Sequence, residues 1–392
     1  MTVADPGLTD GGSVIVAAEH VVTPDGVLAP GWLQIADGRI AAVHPGRPPG
    51  PAAHRGHWAL PGFIDMHVHG GGGASFTEGG PDDARRAAAF HRAHGTTRIV
   101  ASLVTAPLGE LEGRSAMLAD LADAGVIDGI HLEGPFLSAA RCGAQNPRYL
   151  TLPDVAAFTR LQAASRGWLR MITIAPELPG ALAVIRAAAA AGIVAAAGHT
   201  DASAEITAEA IAAGVSHATH LFNGMRPILH RSPGPVGALL DHPVTCEVIA
   251  DGSHLDDLII RLAARAAGPG NLVLITDAMA AAGMSDGDYR LGELDVTVSA
   301  GVARLADAAG GVGSIAGSTA TMELVVRRAI TAVGLPVADV AAAAGTTPAR
   351  RLGLDGVTGS LRAGLAADIV LLDEGFRLRD VIARGERHQP AG

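Results

Sequence analysis

Hydrophobic and polar positions along residues 61–350 repeat one unit: a short apolar strand, a polar residue at its end, and an alanine-rich amphipathic segment. Apolar runs bounded by turn residues predict buried strands, and apolar residues three and four apart predict helices, such as 82–95 and 110–125. The pattern predicts eight strands, at 62–69, 96–105, 129–134, 169–177, 192–200, 214–223, 244–254 and 271–279. Strands that alternate with helices favour parallel pairing, and eight units predict a (β/α)₈ barrel.

The two ends of the chain have a different pattern. Residues 13–46 and 358–386 contain β-branched runs broken by turn signals such as PDG, APG and ADG. Neither segment alone could bury a core, so together they predict a small β-sandwich. We therefore predict a discontinuous β-sandwich domain at 1–60 plus 355–392, and a catalytic barrel at 61–354.

Composition narrows the class of protein. The 392 residues are 48% hydrophobic with a mean hydropathy of +0.30, which indicates a folded core. A net charge of −10 and few aromatic residues argue against a nucleic-acid partner. The longest uncharged apolar tract, 187–198, is too short to span a bilayer, and residues 1–12 lack the features of a signal peptide. Two cysteines, Cys142 and Cys246, make no disulfide scaffold. We predict a cytoplasmic protein without a membrane partner.

The chain contains no lysine, since all 29 basic residues are arginine. This absence excludes Schiff-base chemistry, pyridoxal phosphate attachment and the lysine-dependent phosphate loop. It also excludes a carboxylated lysine as a bridge between metal ions.

Polar side chains gather at the ends of the predicted strands. In GFIDMHVHG (62–70), alternation puts Asp65, His67 and His69 on one face of a strand. Later strands end on further histidines and carboxylates, namely Glu133, Glu177, His199, His220, His254 and Asp277. A single strand-end histidine is usually structural, but the carboxyl ends of barrel strands meet at one mouth. The convergence therefore predicts a site for one or two zinc-like ions.

Longer motifs carry a resemblance to a known family. GFIDMHVHG resembles the first-strand signature of the amidohydrolase superfamily. Six further motifs resemble those of one group within this superfamily, the N-acetylglucosamine-6-phosphate deacetylases. They are HLEGPFL (131–137), GHTDA (198–202), HATHLFNGM (217–225), IADGSH (249–254), LITDAM (274–279) and IAGSTATM (315–322). The resemblance covers essentially the whole chain. It implies a homodimer that hydrolyses the N-acetyl group of N-acetyl-D-glucosamine 6-phosphate to D-glucosamine 6-phosphate and acetate, in amino-sugar catabolism or recycling.

The same resemblance assigns roles to single residues. It implies a principal metal site at Glu133, His199 and His220, and a second at His67 and His69, whose presence favours two ions. Zinc is the expected divalent metal, with Fe²⁺ or another ion as the alternative. Asp277 is implied as the catalytic acid/base, which accepts a proton from water and returns it to the departing amine. The structural alternative for Asp277 is a buried carboxylate paired with an arginine.

The resemblance also implies a set of substrate contacts. These are Ala144, Gln145, Asn223, Gly224, Arg231, His254, Ile315, Ala316 and Gly317. Arg231 is implied to reach the substrate phosphate from the neighbouring subunit, with His254 as its companion. A guanidinium group can pair with phosphate through two hydrogen bonds, which is the physical reason for arginine there.

The sequence contains one departure from the family pattern and leaves three alternatives open. In RCGAQNP (141–147), Gln145 replaces a histidine of the relatives; an amide can donate a hydrogen bond but cannot be protonated. Cys142 in this loop is either a redox-responsive or gating residue or a tolerated small side chain. The chain could instead act on another N-acyl substrate, such as a galactosamine 6-phosphate, a dipeptide or a cyclic amide. It could also be a non-catalytic binding module, although such homologues usually lose metal ligands.

Overall fold

The computed structural model describes residues 13–306 and 313–390, so residues 1–12, on which the signal-peptide prediction rests, lie outside it, as do 391 and 392. The described residues form two compact units. The first comprises those up to Asp65, Ala89–Arg98 and those from Met322 onward; the second comprises Met66–Ala88 and the described part of Ile99–Thr321. The predicted domain boundaries at 60 and 355 stay predictions.

Both chain ends contribute to one eight-stranded sheet, which confirms the predicted β unit. Its strands are Val14–Thr23, Gly26–Leu28, Gly31–Ala36, Arg39–Pro45, His54–Pro61, Ile369–Leu372, Leu378–Ala383 and Glu386–His388. The strand His54–Pro61 joins the two ends, because it pairs parallel with Val14–Thr23 and antiparallel with Ile369–Leu372. Apolar side chains from both ends, including Leu33 and Ile369, share one buried core.

The eight predicted barrel strands are all present and lie in chain order in one sheet. They are Phe63–Val68, Thr96–Val104, Gly129–Glu133, Leu169–Ile174, Val194–Ala197, Val215–Ala218, Thr245–Ile249 and Leu272–Ile275, called here the first to eighth barrel strands. Consecutive strands from the second to the eighth pair in parallel. Past the eighth strand, the Asp277 amide donates to the His67 carbonyl at 2.9 Å, which brings the last strand end to the first. The (β/α)₈ prediction is confirmed.

Helices separate most of the barrel strands, as the apolar periodicity predicted. The α-helices are Pro81–Ala93, Leu108–Asp123, Val155–Ala164, Ala181–Ala190, Ala204–Ala213, Gly234–Asp241, Asp257–Ala267, Met322–Thr331, Val337–Ala341 and Thr347–Arg351. Several begin at a side-chain cap: the carboxylate of Asp154 accepts from the Ala157 amide, and Ser203 accepts from Ile206. Within the described ranges, no helix is long and apolar enough to cross a membrane.

Polar side chains fill part of the barrel interior, where bulky aliphatic residues usually dominate. Ser102, His131, Thr173 and Thr219 are fully buried and form one chain of hydrogen bonds that runs from the second barrel strand to the residue after the sixth. The successive distances are 2.9 Å, 2.8 Å and 2.8 Å. Because each hydroxyl or imidazole has a partner, burying these groups carries no large desolvation penalty.

A three-stranded antiparallel sheet follows the eighth barrel strand, a feature that the sequence analysis did not predict. Its strands are Gly287–Leu291, Leu294–Ser299 and Val302–Leu305; two short strands, Gly70–Gly71 and Ala74–Ser75, pair near the barrel mouth. Inward-facing Val296 and Val298 pack with Val104 and Met279 in one hydrophobic cluster. This insertion places Leu291 at the edge of the cavity described next.

Candidate active site

Three predicted site residues leave the barrel strands in the same way. His199, His220 and Asp277 each lie two positions beyond the end of their strand, at φ values of 46°, 27° and 50°. Left-handed backbone is uncommon for residues other than glycine and costs of order 1–3 kcal/mol. The turn it produces lets each side chain point into the mouth instead of continuing the alternation of the strand.

The Glu133 carboxylate lies between two pairs of histidines. Its Oε1 atom is 3.0 Å from His199 Nε2, 2.9 Å from His220 Nε2 and 3.5 Å from His67 Nε2. Its Oε2 atom is 3.2 Å from His69 Nε2. The two Nε2 atoms within each pair are 3.1 Å and 3.0 Å apart. Glu133 is therefore shared by two groups of three potential metal ligands, one with His67 and His69 and one with His199 and His220.

Hydrogen bonds on the far side of two rings favour metal binding at these groups. His199 Nδ1 lies 2.9 Å from the Arg141 carbonyl oxygen, which can only accept, so this nitrogen carries a proton. His67 Nδ1 lies 3.0 Å from the Glu247 carboxylate, which assigns its proton in the same way. In the neutral rings, the Nε2 lone pairs then face Glu133 and the other Nε2 atoms. Cations would satisfy these converging lone pairs, so the residues fit divalent metal ions.

The charges of the site also favour a bound cation. Burial lowers the pKa of His67, but the negative charges of Glu247, Asp277 and Glu133 outweigh it and raise that pKa well above its usual value. Burial likewise lowers the pKa of His69, yet hydrogen bonds with Asp277 and Glu133 raise it to about 9. Burial alone would raise the pKa of Glu133, but the His67 charge and the hydrogen bonds from the imidazoles hold it well below its usual range. The carboxylates thus stay ionised and attract positive charge.

Asp277 contacts the first of the two ligand groups. Its Oδ1 atom is 3.4 Å from His67 Nε2 and 3.2 Å from His69 Nε2. Burial raises the pKa of Asp277, but the two histidines lower it more, so the carboxyl group is ionised at neutral pH. No arginine partner for Asp277 occurs among the contacts of the described residues, which argues against a structural ion pair. An ionised carboxylate beside the ligands can accept a proton from water.

Glu247 and His217 support the ligands, and the sequence analysis missed both. Glu247 is fully buried, and its Oε2 atom faces His67 Nδ1 at 3.0 Å and accepts from the His220 backbone amide at 2.8 Å. Its Oε1 atom faces His217 Nε2 at 2.9 Å. A carboxylate behind a metal-binding histidine fixes the ring and raises its basicity. The missed signal was a charged residue inside the apolar strand VTCEVIA, where a glutamate is rarely buried without a function.

The predicted contact Gly224 has a clear steric role next to His199. A Cβ atom at position 224 would lie 2.9 Å from His199 Nδ1, and the backbone has a φ of 59°. Gly317 is similar, because a Cβ there would lie 2.8 Å from the Asp277 carbonyl oxygen at a φ of 68°. Both positions therefore need glycine for close approach to the site.

Most of the predicted site residues line a single cavity of about 410 Å³, a volume that suits a small ligand such as a sugar phosphate. Of the predicted residues, those along its wall are His69, Glu133, Ala144, Gln145, His199, His220, Asn223, Gly224, His254, Asp277, Ile315 and Gly317. Two predicted contacts do not line this cavity: Ala316 is fully buried, and Arg231 is exposed on the loop after Met225. Arg141, which the sequence analysis did not assign to the site, also lines the cavity.

Two other strand-end residues have structural partners. The His254 imidazole bonds the Asp251 carboxylate at 2.8 Å, which orients the ring at the cavity wall. The Glu177 carboxylate accepts from the Thr200 hydroxyl at 2.5 Å and the Asp201 amide at 2.6 Å. Glu177 therefore supports the loop after His199 and is not part of either ligand group.

Comparisons with known proteins agree with this geometry. Residues 58–387 match the Amidohydrolase family. The N-acetylgalactosamine-6-phosphate deacetylase of Escherichia coli O157:H7 is 35% identical over 377 residues, covering 95% of this chain and 98% of that protein. The N-acetylglucosamine-6-phosphate deacetylase of Bacillus subtilis (strain 168) is 34% identical over 387 residues, covering 95% and 96%.

A solved structure extends the likeness to the whole fold. It is a mutant of the N-acetyl-D-glucosamine-6-phosphate deacetylase from Mycobacterium smegmatis, in complex with N-acetyl-D-glucosamine-6-phosphate. Its TM-score is 0.92 at 48% identity, and the match covers 96% of this chain and 99% of that one. The family match spans both ligand groups and Asp277. The chain belongs to the amidohydrolase family.

Proposed function

We propose that this protein hydrolyses the N-acetyl group of N-acetyl-D-glucosamine 6-phosphate, giving D-glucosamine 6-phosphate and acetate, in amino-sugar catabolism or recycling. The observation that carries the proposal is the Glu133 carboxylate shared by two histidine pairs, with Asp277 beside one pair, at the wall of a cavity of about 410 Å³. The relatives and the M. smegmatis structure support the substrate class by their names. The retained ligands argue against a non-catalytic binding module.

His67, His69, Glu133, His199 and His220 would hold one or two divalent metal ions. Zinc is the proposed metal, because imidazole and carboxylate ligands suit it, with Fe²⁺ as the alternative. When bound, such an ion polarises an acyl oxygen and lowers the pKa of water.

Asp277 would move the protons of the reaction. Its ionised carboxylate accepts a proton as water attacks the acetyl carbonyl carbon. It then donates this proton to the sugar nitrogen as the carbon–nitrogen bond breaks, so that an amine leaves instead of an amide anion. The acetic acid released keeps the oxygen of the attacking water and loses its remaining proton to the amine or to solvent, which gives acetate, and the carboxylate of Asp277 is regenerated.

The phosphate end of the substrate would contact His254 and Arg141, both of which line the cavity. We propose that Arg231 adds a third group from the neighbouring subunit of a homodimer in the cytoplasm. Its exposure on a loop that also exposes Ile228 (50%) and Leu229 (60%) supports a contact between subunits there. Arg231→Ala is expected to raise KM for the phosphorylated substrate about tenfold or more with little change in kcat. An unchanged KM in a protein that sedimentation shows to be dimeric would contradict this role.

The proposed reaction is tested by incubating the purified protein with N-acetyl-D-glucosamine 6-phosphate and measuring the glucosamine 6-phosphate that is formed. Turnover is expected to stop after treatment with a chelator and to return with Zn²⁺. Asp277→Asn, which keeps the shape of the side chain, should lower kcat by a factor of roughly 10²–10⁴ while zinc remains bound. A zinc-loaded protein without turnover on this substrate would contradict the proposal.

A second candidate substrate, N-acetylgalactosamine 6-phosphate, is favoured by the name of the E. coli relative. The two sugars differ only in the configuration at C4. A comparison of kcat/KM for both, under the same zinc loading, separates the candidates. If the galacto sugar has the higher value, the assignment moves to it while the chemistry of the site is unchanged.

A further inference from the structure

Gln145 connects the ends of two barrel strands at the wall of the cavity. Its side chain is 4% exposed, and its Oε1 atom accepts from the backbone amide of Thr105 at 2.7 Å. Its Nε2 atom donates to Glu133 Oε2 at 2.6 Å. Thr105 directly follows the second barrel strand and Glu133 ends the third. The amide group therefore spans the gap between two neighbouring strand ends.

The two partners fix which way round the Gln145 amide lies. A backbone N–H can only donate, so the atom that faces Thr105 must be the oxygen. The other end of the amide, the NH₂ group, then faces Glu133 Oε2 at 2.6 Å and donates to it. Both contacts lead to the same orientation. A flipped amide would lose both hydrogen bonds at once.

This donor acts on the carboxylate that both ligand groups share. The terminal torsion of a glutamate has a broad range, so its carboxylate plane needs partners to define it. Oε1 already faces His199 and His220, whereas Oε2 faces His69 and Gln145. The bond at 2.6 Å is the shorter of the two contacts of Oε2. It keeps Oε2 turned toward the group that contains His69.

We propose that Gln145 is a positioning residue, which orients Glu133 so that its two oxygens serve the two metal groups. This role rests on the metal centre of the proposed function and adds to the predicted substrate contact of Gln145. The amide suits it because it donates at every pH and adds no charge beside the ligands. The competing role is purely structural: Gln145 would only anchor the loop that contains Ala139–Arg141 to the second strand.

Zinc binding to purified protein, measured against a chromophoric chelator, tests the proposal without reference to catalysis. Gln145→Met keeps the length of the side chain and removes the donor, and Gln145→Asn keeps the amide but is one methylene too short. Both are expected to weaken zinc binding about 10–100-fold, as loss of a group behind a metal ligand typically does. The visible spectrum of the Co²⁺-loaded protein should also change. Gln162→Met, on the partly exposed side of the helix Val155–Ala164, is the matched control and should match the wild type in both measurements.

Each outcome decides between the two roles. If both variants are folded by circular dichroism and bind zinc like the wild type with unchanged Co²⁺ spectra, Gln145 only anchors the loop and the proposal is overturned. If the wild type itself binds no zinc, the metal centre is wrong and this role with it. Weaker binding in both position-145 variants, with wild-type binding in Gln162→Met, supports the proposal.

Discussion

At the scale of single residues, one buried carboxylate organises both sides of the site. Glu247 contacts the imidazole of His67, which belongs to one ligand group, and the backbone of His220, which belongs to the other. It receives a third contact from His217. Because all of these groups are fully or almost fully buried, water cannot replace the carboxylate if it is removed.

Replacing Glu247 by glutamine is expected to weaken metal binding about 10–100-fold. The amide keeps the shape but removes the negative charge that holds the proton on His67 Nδ1 and makes Nε2 a strong ligand. Metal content after dialysis against increasing chelator measures the effect. Glu209→Gln, an exposed glutamate on the helix Ala204–Ala213, is the control. Equal metal retention by both variants would mean that Glu247 serves only the fold.

Sequence patterns show the ligands better than the groups behind them. His67, His69 and Glu133 stand at strand ends within motifs, where the pattern of a barrel predicts a mouth. Glu247 and His217 stand inside strands, where nothing in the sequence gives the distance between neighbouring strands. The partner of Gln145 could not be predicted either, because a residue at position 145 contacts Glu133 only through the path of the loop between them.

At the scale of elements, the strands are shorter than the apolar runs that predicted them. The run 192–200 gives only Val194–Ala197, and 214–223 gives only Val215–Ala218. The predicted runs extend past the last residues of these strands, but the chain turns left-handed at His199 and His220. Hydropathy cannot report this turn, since it depends on backbone torsion. The position of each strand was predictable, and its last residues were not.

Two segments that both contribute residues to the cavity wall are joined by hydrogen bonds at their tips. The Tyr149 hydroxyl donates to Glu293 Oε2 at 2.7 Å, and the Asn146 amide donates to the same oxygen at 3.4 Å. Glu293 lies in the turn between Gly287–Leu291 and Leu294–Ser299, and Tyr149 ends the loop that includes the cavity-lining Ala144. This contact ties the segment that contains Ala144 to the three-stranded sheet that contains Leu291.

Tyr149→Phe is expected to raise KM roughly two- to fivefold, with kcat nearly unchanged, because an exposed hydrogen bond contributes modestly to holding the two tips together. Steady-state kinetics measures the change. Tyr289→Phe is a matched control, since the Tyr289 hydroxyl bonds the Ser285 carbonyl within its own segment. If the two variants have the same KM, the contact between the tips does not shape the mouth.

At the scale of the whole chain, residues from its two ends meet in the eight-stranded sheet to which both ends contribute strands. His54 Nδ1 lies 2.9 Å from Asp380 Oδ2, although 326 positions separate the two residues. The Arg387 Nε atom is 2.9 Å and 3.1 Å from the two Asp380 oxygens. Burial alone would raise the pKa of Asp380, but His54 and Arg387 outweigh it and lower the pKa below the usual value. The ionised carboxylate therefore stabilises the folded sheet.

This interaction predicts a pH dependence of stability with a definite sign. Because the folded pKa is depressed, the stabilisation is fully present above about pH 4, the range of an unfolded aspartate, and is lost as the pH falls through the folded pKa. Asp380→Asn should lower the free energy of unfolding by about 1–2 kcal/mol at pH 7, discounted because Arg387 is partly exposed. The difference should shrink below pH 4.

Chemical denaturation of the two proteins at pH 7 and pH 3.5 measures this difference. Asp25→Asn, at an exposed turn of the same sheet, controls for a change of net charge. A gap between Asp380→Asn and the wild type that stays constant over this pH range would contradict the assigned ion pair. The pairing of the two chain ends was predictable because both contain β-branched runs broken by turn signals. The partner of Asp380 was not predictable, since charge alone does not specify the register of the strands.

The left-handed backbone at His199, His220 and Asp277 creates a conflict between thermal stability and activity. Glycine at these positions would relieve the strained torsions while removing two of the proposed metal ligands and the proposed proton carrier. A screen for heat resistance that ignores turnover would therefore tend to select against the residues the chemistry needs. Asparagine tolerates the left-handed region, so Asp277→Asn is expected to stop the proposed proton transfer without a change in this strain. Substitutions intended to raise the thermal stability of the enzyme should therefore be placed on its surface, and these three turns should be left unchanged.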